Sequence, residues 1–280
     1  MKKLRRLIIG MLTVALLSAV PVSQVSAGTV KSGIPVLMYH SISKTEANPN
    51  KNSSITSERK FREEMEKLKA EGFTSIFFSD YTAAMEKGKP LPEKPVIITF
   101  DDGYMDNYTI AYPILKELGM KATISIVVAS VGLSEKNGKP IIPHFTWEQA
   151  REMQESRVID IQCHTFDLHG AKDPKGLMKI KGENDIMYKN RIKQDTLKAK
   201  SMIEKEIGNK VDVFVYPYGY YNDITESIMK ELGFKYTLSV NEGVTDIEHE
   251  GAYLIKRINM TPFVTTRDLI NKFNVVDVYY

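Results

Sequence analysis

Val96-Ile97-Ile98-Thr99-Phe100-Asp101-Asp102-Gly103-Tyr104 is an apolar, β-branched run that ends in two adjacent carboxylates and a glycine. Such a run is typical of a buried strand in a parallel sheet, and active sites of α/β folds lie at the carboxyl ends of these strands. An Asp-Asp-Gly sequence on its own is more often a surface turn or a helix cap. Because the apolar run leads directly into it here, we expect a strand that delivers both carboxylates to a functional site.

Strand-like segments alternate with helix-like segments over the rest of the chain. This alternation predicts an α/β fold with a parallel sheet, and about seven such steps favour an irregular (β/α) barrel similar to a TIM barrel. A Lys-, Gly- and Asp-rich segment, residues 170–189, is predicted to be a long surface loop before a helix that begins at Asn190. The other predicted strands are 34–40, 73–78, 122–128, 158–164, 213–216, 236–240 and 253–258.

The first 27 residues have the pattern of a secretory signal peptide. Four basic residues precede an apolar region, Leu7 to Val20, and Val25-Ser26-Ala27 resembles a cleavage site. We expect cleavage after Ala27, a short linker at 28–33 and one domain over 34–280. The protein would then be secreted or held at the cell surface. An uncleaved membrane anchor is the alternative interpretation, and cleavage would leave the chain without a stable anchor.

The charge balance gives no sign of a polyanionic partner, and the cysteine content excludes an internal disulfide. The 280 residues include 38 basic and 35 acidic side chains. Removal of the signal peptide takes four basic residues and leaves 34 against 35, so the mature chain is almost neutral. Nothing in this balance indicates a nucleic acid or an anionic membrane as partner. Cys163 is the only cysteine, which excludes an intramolecular disulfide.

Two histidines lie at and just after the end of the strand-like segment 158–164. They are His164 and His169 in the sequence Cys163-His164-Thr165-Phe166-Asp167-Leu168-His169. On a helix, His164 and His169 would face different directions, whereas a strand that turns into a loop lets both rings converge. The alternative is two exposed loop histidines. Together with the Asp101-Asp102 pair, they predict an open divalent-metal site in which one carboxylate is a ligand and the other remains available as a base.

Four tyrosines lie around a proline and a glycine in the segment 215–222, Val-Tyr-Pro-Tyr-Gly-Tyr-Tyr-Asn. Aromatic rings after a strand suit stacking against sugar rings, and backbone N–H groups there could hold an oxyanion. The alternative is a turn with packed aromatic side chains. The candidate substrate-binding residues are Tyr216, Tyr218, Tyr220 and Tyr221.

Together these segments resemble the polysaccharide deacetylases of carbohydrate esterase family 4. The family motifs T-F-D-D-G and H-[S/T]-x-x-x-H correspond to 99–103 and 164–169, and R-x-P-[Y/F] corresponds to 215–218. The resemblance implies an irregular (β/α) barrel and a divalent metal held by Asp102, His164 and His169, with Asp101 as the catalytic base.

The chain departs from the family pattern in two places. Val215 stands where the family has the arginine that orients the base, and the usual C-terminal Leu-x-x-His motif is missing, with His249 the only histidine after His169. Instead, His40 ends the first predicted strand. This arrangement resembles the branch that deacetylates poly-β-1,6-N-acetylglucosamine, in which the N-terminal strand supplies the catalytic acid as if the barrel were circularly permuted. A purely structural role for His40 is the alternative, and Arg257 is a candidate replacement for the missing arginine.

The resemblance implies a metal-dependent hydrolase that removes N-acetyl groups from polymers of N-acetylglucosamine, and the signal-peptide pattern predicts that it is secreted. The ligand set suits zinc, and also cobalt, nickel or manganese. One alternative keeps this chemistry but has peptidoglycan or chitin as substrate. A second is a glycan-binding protein with impaired catalysis, for which the missing arginine would be a reason. The motif G-x-S-x-G does not occur, which argues against a serine hydrolase.

Overall fold

The computed structural model describes residues 33–45, 54–170 and 174–273. The predicted signal peptide at 1–27 lies outside the described residues, as does most of the predicted linker at 28–33. Among the helices that are described, none combines the length and the apolar character needed to cross a membrane.

Strands and helices alternate along the described chain, as the sequence pattern predicts. The strands are β1 (Val36–Tyr39), β2 (Ser41–Ser43), β3 (Ile55–Ser57), β4 (Thr74–Ser75), β5 (Pro95–Asp102), β6 (Ala122–Val127), β7 (Glu135–Lys136), β8 (Lys139–Pro140), β9 (Ile159–Thr165), β10 (Val213–Val215), β11 (Tyr236–Leu238) and β12 (Ile258–Asn259). The helices are α1 (Glu58–Ala70), α2 (Phe78–Lys87), α3 (Tyr112–Leu118), α4 (Trp147–Glu155), α5 (Asp185–Ile207), α6 (Asp223–Glu231), α7 (Ile247–Glu250) and α8 (Thr266–Phe273).

One parallel sheet organises these elements. Its strand order is β11-β10-β9-β6-β5-β1-β12, and β4 pairs with the first two residues of β5. The apolar run predicted as a strand is β5, which lies inside the sheet between β1 and β6 and has all eight residues buried. Because both faces of this parallel sheet are buried, its strands can be continuously apolar rather than alternating.

The segment 255–259 contacts both edges of the sheet. Ile255 forms a parallel bridge with Leu238 of β11, and its N–H donates to the carbonyl of Thr237 at 2.8 Å. Three residues later, β12 begins and pairs with β1 at the opposite edge. The sheet is thereby curled into an irregular barrel with seven strands in its main path. The predicted (β/α) barrel is confirmed.

Chemistry-bearing residues gather at the carboxyl ends of neighbouring strands. His40 follows β1, Asp101 and Asp102 end β5, and His164 is the next-to-last residue of β9. Since these strands are parallel, their carboxyl ends lie at the same end of the barrel, where (β/α) barrels place their active sites. The fold therefore brings together residues that are up to 124 positions apart in the sequence, from His40 to His164.

The predicted start of the long helix is wrong by about one turn. The helix was expected at Asn190, but α5 begins at Asp185, so the loop before it ends at Asn184. The Asn184 side chain caps the helix by accepting a hydrogen bond from the N–H of Met187 at 2.9 Å. The helix follows directly on a segment rich in lysine and glycine that resembles a loop, and the cap at Asn184 is the local signal that marks its start.

Two predicted strands are shorter than expected. Of the segment 73–78 only Thr74–Ser75 forms a strand, because Phe78 already belongs to α2. Of the segment 253–258 only the last residue is in a strand, which continues to Asn259. Both segments are apolar enough for a strand, but each meets a neighbouring strand over only two or three residues.

Candidate metal centre and proton-transfer groups

Asp102, His164 and His169 converge at the end of β5 and β9. One ligand atom from each lies within 4.8 Å of the others. The Asp102 Oδ1 atom is 3.5 Å from His164 Nε2 and 3.1 Å from His169 Nε2. Asp102 and His164 are buried, and His169 is partly exposed, so the cluster is accessible from one side. The predicted convergence of these three side chains is what the structure has.

The backbone at the end of β5 lets the two adjacent carboxylates serve different partners. Successive residues of a strand point to opposite faces, but Asp102 has a left-handed backbone with φ of 77° and Gly103 follows with φ of 84°. A Cβ atom on Gly103 would lie 2.9 Å from Cγ2 of Ile126, closer than real Cβ contacts. Gly103 is therefore required both for the conformation of this turn and for its packing against β6.

His164 is oriented by a hydrogen bond to the neighbouring strand. Its Nδ1 lies 2.8 Å from the carbonyl oxygen of Val215, which can only accept, so Nδ1 carries the proton and Nε2 has a lone pair toward Asp102. Burial lowers the pKa of His164 to about 4, although the charge of Asp101 acts in the opposite direction. The imidazole is therefore neutral at physiological pH, which is the form that binds metals.

The three side chains fit a divalent metal ion. Asp102 Oδ1 is buried and has no hydrogen-bond partner among the described residues. Buried polar atoms are normally paired, so an unpaired carboxylate oxygen facing two imidazole nitrogens fits a position that a cation would share. Two nitrogen ligands and one oxygen ligand, with the remaining side open, form the ligand set of a catalytic zinc site.

Asp101 is held by Arg257 in a fully buried ion pair. Both guanidinium Nη atoms donate to the Asp101 carboxylate, each at 2.8 Å, and Nε donates to the carbonyl of Ser239 at 2.8 Å. Nη1 also lies 3.2 Å from the hydroxyl of Thr99. Burial raises the pKa of Asp101, but the charge and hydrogen bonds of Arg257 outweigh it and hold the pKa below its ordinary value. The carboxylate is therefore ionised and fixed in orientation.

The guanidinium comes from the closing segment of the barrel, not from β10. Val215, at the family's arginine position, is a fully buried residue of β10 whose carbonyl accepts from His164. Arg257 lies just before β12 and reaches Asp101 from the other edge of the sheet. The structure thus places Arg257 where the predicted base-orienting role requires it, while the role itself stays a prediction.

His40 lies on the other side of Asp101. Its Nε2 is 3.9 Å from Asp101 Oδ2, and 23% of its side chain is exposed, so it can reach both the base and an incoming substrate. The Asn107 side-chain amide donates to the backbone carbonyl of His40 at 2.7 Å and fixes the end of β1. His249, by contrast, is 76% exposed and pairs with Asp246 at 2.8 Å. The structure therefore brings His40 to the Asp101 side of the site. The described contacts of His249 are with Asp246 and do not include Asp101.

Three of the four candidate tyrosines, Tyr218, Tyr220 and Tyr221, lie near the site surface, whereas Tyr216 is buried. Tyr218 packs its ring 4.7 Å from that of His169, and the ammonium of Lys175 lies 4.6 Å from the Tyr218 ring and 5.6 Å from that of Tyr220. Tyr220 and Tyr221 are each more than a third exposed. These three can still contact a substrate, so their predicted binding role stays a prediction.

The prediction for Tyr216 is wrong. Its side chain is fully buried, and its hydroxyl donates to the carboxylate of Glu226 in α6 at 2.6 Å. The ring also packs edge-to-face on Phe214, so Tyr216 belongs to the core beneath the site. Its place among other tyrosines suggested a sugar-binding wall, but the end of β10 directs this side chain inward.

Sequence reasoning missed two residues beside the metal triad. Tyr104 follows the Asp-Asp-Gly motif, and its backbone forms an antiparallel bridge with His144. The two rings are 5.0 Å apart, and both residues line a cavity that reaches Asp102 and His169. Tyr104 could have been noticed from its position in the motif. His144 has no local signal, because only the tertiary contact brings it to the site.

Comparison with known proteins identifies the family. The model of the family "Polysaccharide deacetylase" matches residues 88–237, which is more than half of the chain. The chain belongs to the polysaccharide deacetylase family. As a polysaccharide deacetylase it is a hydrolase that acts on amide bonds, and the resemblance inferred from its motifs is confirmed.

Individual relatives of this polysaccharide deacetylase agree with the family model. The poly-β-1,6-N-acetyl-D-glucosamine N-deacetylase of Staphylococcus epidermidis is 27% identical over 208 residues, covering 74% of this chain and 68% of the relative. The Escherichia coli (strain K12) enzyme of that name is 28% identical over 77% of this chain, which spans only 35% of it. A de-N-acetylase from Aggregatibacter actinomycetemcomitans has a TM-score of 0.75 at 27% identity, covering 85% of this chain and 98% of the other.

Replacement of Arg257 by Gln should destabilise the protein by about 3–5 kcal/mol, because it leaves the buried Asp101 carboxylate without a counter-charge. Urea unfolding monitored by circular dichroism would measure the change. Arg62→Gln is a matched control, since Arg62 makes an equally bidentate pair with Glu117 at 2.9 Å, but on the surface. The control should cost about 0–1 kcal/mol. Equal losses in the two variants would contradict the assigned burial of the Asp101 pair.

Proposed function

We propose that this chain is a metal-dependent N-deacetylase that acts on polymers of N-acetylglucosamine, of the poly-β-1,6-linked type, outside the cytoplasm. The observation that carries the proposal is the arrangement of Asp101 and His40 beside the Asp102, His164 and His169 triad. One buried carboxylate is thereby available as a base and one imidazole as an acid, next to a site with the ligand set of a divalent ion.

Asp101 would act as the general base on the attacking water. Its carboxylate is ionised and oriented by Arg257, so it can take up a proton without leaving its position. A divalent ion bound by the triad would polarise the acetamide carbonyl and increase the acidity of water. Zinc suits two imidazoles and one carboxylate, and cobalt, nickel or manganese can occupy the same ligand set.

His40 would then protonate the departing amine. An amine leaves poorly as an anion, so cleavage of the carbon–nitrogen bond needs a proton donor on the side of the nitrogen. His40 is close to Asp101 and partly exposed, which places it between the base and solvent. The backbone at Tyr218, which has a left-handed φ of 57°, is the candidate donor to the developing oxyanion.

The relatives support the proposed substrate class, and the N-terminal sequence supports the proposed location. The Staphylococcus epidermidis and Escherichia coli relatives are both named as poly-β-1,6-N-acetyl-D-glucosamine N-deacetylases. The N-terminal pattern of a basic region, an apolar region and a small-residue cleavage site supports export of the chain. The alternative of an impaired glycan binder loses its main support, because Arg257 supplies the guanidinium that is missing at Val215.

The function is tested by acetate release from three substrates: β-1,6-linked N-acetylglucosamine oligomers, β-1,4-linked chitooligomers and peptidoglycan fragments. We expect the fastest release from the β-1,6 oligomers, loss of release after treatment with a chelator, and recovery on addition of zinc or cobalt. Faster release from either other polymer would change the proposed substrate. Undiminished release by metal-stripped protein would contradict metal dependence, and absence of release from all three would favour a glycan-binding protein.

His40→Ala should keep the metal and the fold but reduce turnover by about 10²–10⁴-fold, which is the usual contribution of a general acid. Acetate release, metal content and circular dichroism would be measured on the same preparation. His249→Ala is the control, because His249 is an exposed histidine paired with Asp246. If His249→Ala is inactive while His40→Ala retains turnover, the acid comes from the C-terminal half of the chain.

A further inference from the structure

A cavity of about 200 Å³ opens beside the metal triad. Asp102 and His169 form its inner end, whereas Asp101 and His40 do not line it. The cavity therefore flanks the triad on a side other than the one that holds the groups proposed to transfer protons. The other wall residues are Tyr104, Val127, Ser130, Lys136, Ile141, Ile142 and His144.

A β-hairpin formed by β7 and β8 places Lys136 in the wall of this cavity, and the segment after the hairpin adds Ile141, Ile142 and His144. The turn of the hairpin consists of Asn137 and Gly138, which both have left-handed φ values, of 53° and 71°. Two-residue turns of this kind match the twist of the strands and make a tight hairpin. At the base of the hairpin, the N–H of Met105 donates to the carbonyl of Pro143 at 2.7 Å. The hairpin is thus attached to the residues that follow the Asp-Asp-Gly turn.

An ion pair connects the hairpin to the loop that carries the metal-ligating histidines. Lys136 Nζ lies 2.5 Å from Asp167 Oδ1, and Asp167 stands between His164 and His169 in the sequence. Both partners are partly exposed, so the pair lies at the rim of the cavity. The pair connects the hairpin to the histidine loop at this edge of the cavity.

The walls combine apolar faces with polar groups, as a sugar-binding pocket does. The rings of Tyr104 and His144 are 5.0 Å apart, and Ile142 adds an exposed aliphatic side chain. Ser130 and Lys136 contribute a hydroxyl and an ammonium. A pyranose ring presents C–H groups on its faces and hydroxyls on its edge, which suits such a surface. The volume is below the ~300 Å³ at which pockets begin to hold drug-sized ligands, so it suits one sugar unit.

We propose that this cavity binds the sugar unit adjacent to the one being deacetylated, with Tyr104 and His144 as specificity-determining contacts and Lys136 as a positioning residue for the hairpin. The inference rests on the proposed function. The reacting acetamide has to lie between the triad, Asp101 and His40, so a cavity without Asp101 and His40 takes another part of the polymer. The acetyl methyl group alone is far smaller than the cavity and needs no polar walls. A neighbouring N-acetylated sugar meets both requirements.

The test compares acetate release from a β-1,6-linked tetramer of N-acetylglucosamine with hydrolysis of a small aryl acetate ester, which has no neighbouring sugar. His144→Phe keeps a ring against Tyr104 but removes the polar atoms, and Lys136→Gln breaks the rim ion pair at a partly exposed position. The ratio of kcat/KM for the tetramer to kcat/KM for the ester should fall about three- to tenfold in His144→Phe, as loss of one or two neutral hydrogen bonds implies. In Lys136→Gln it should fall about two- to fivefold, as loss of a partly exposed ion pair implies. The fall should come mainly from KM.

Lys139→Gln is the matched control, since Lys139 is an exposed residue of the same hairpin that does not line the cavity. It should leave the ratio unchanged. If the wild type deacetylates the tetramer and both variants retain its ratio, the inference is overturned while the proposed function stands. Equal loss of tetramer and ester hydrolysis in both variants would also overturn it, because the residues would then act on the reacting group. A wild type inactive on every glycan would overturn the inference together with the proposed function.

Discussion

The buried pair between Arg257 and Asp101 links the closure of the barrel to the assembly of the site. An unpaired charge in a protein interior costs several kcal/mol, so neither residue can be buried in ionised form without the other. Arg257 lies on the segment 255–259, which contacts β11 on one side and β1 on the other. The guanidinium therefore reaches Asp101 only when both edges of the sheet have met this segment. The carboxylate proposed as base is oriented by the same contact that completes the fold.

A second constraint is the turn at the end of β5. A regular strand would direct Asp101 and Asp102 to opposite faces. The left-handed backbone at Asp102, followed by Gly103, changes this alternation. Both carboxylates then lie at one site, with Asp101 against Arg257 and Asp102 against the two histidines. Backbone conformations of this kind cost free energy in a residue with a side chain, and they persist where the surrounding structure imposes them. The packing of Gly103 against Ile126 is part of that surrounding structure.

The sequence predicted those parts of the site that lie directly at the end of an apolar run. Asp102 and His164 are such residues, because a buried strand fixes both their depth and the end of the sheet at which they appear. Arg257 has no comparable local signal. It was proposed only because Val215 replaces the family arginine, and its contact with Asp101 depends on the closure of the sheet. The error at Tyr216 has the same origin, since a cluster of tyrosines does not show which ring packs beneath β10 and which remains accessible.

The cavity beside the triad shows the limit of local patterns most clearly. Lys136 belongs to the hairpin and His144 to the segment that follows it, and their positions depend on the ion pair with Asp167 and on the bridge to Tyr104. Neither contact is visible in the sequence, because each joins residues that are more than thirty positions apart. The geometry restricts the proposed catalytic and binding roles to a few side chains around this cavity and the triad.

The division of roles between the two adjacent aspartates is the central claim, and metal content is its most direct measure. Asp101→Asn and Asp102→Asn would be purified in parallel, loaded with zinc, and analysed for bound metal and for acetate release. The account predicts that Asp101→Asn binds as much metal as the wild type while its turnover falls about 10²–10⁴-fold, as loss of a general base implies. It predicts that Asp102→Asn loses the metal. Metal loss in Asp101→Asn with metal retention in Asp102→Asn would contradict the account, because the ligand and the base would then be exchanged.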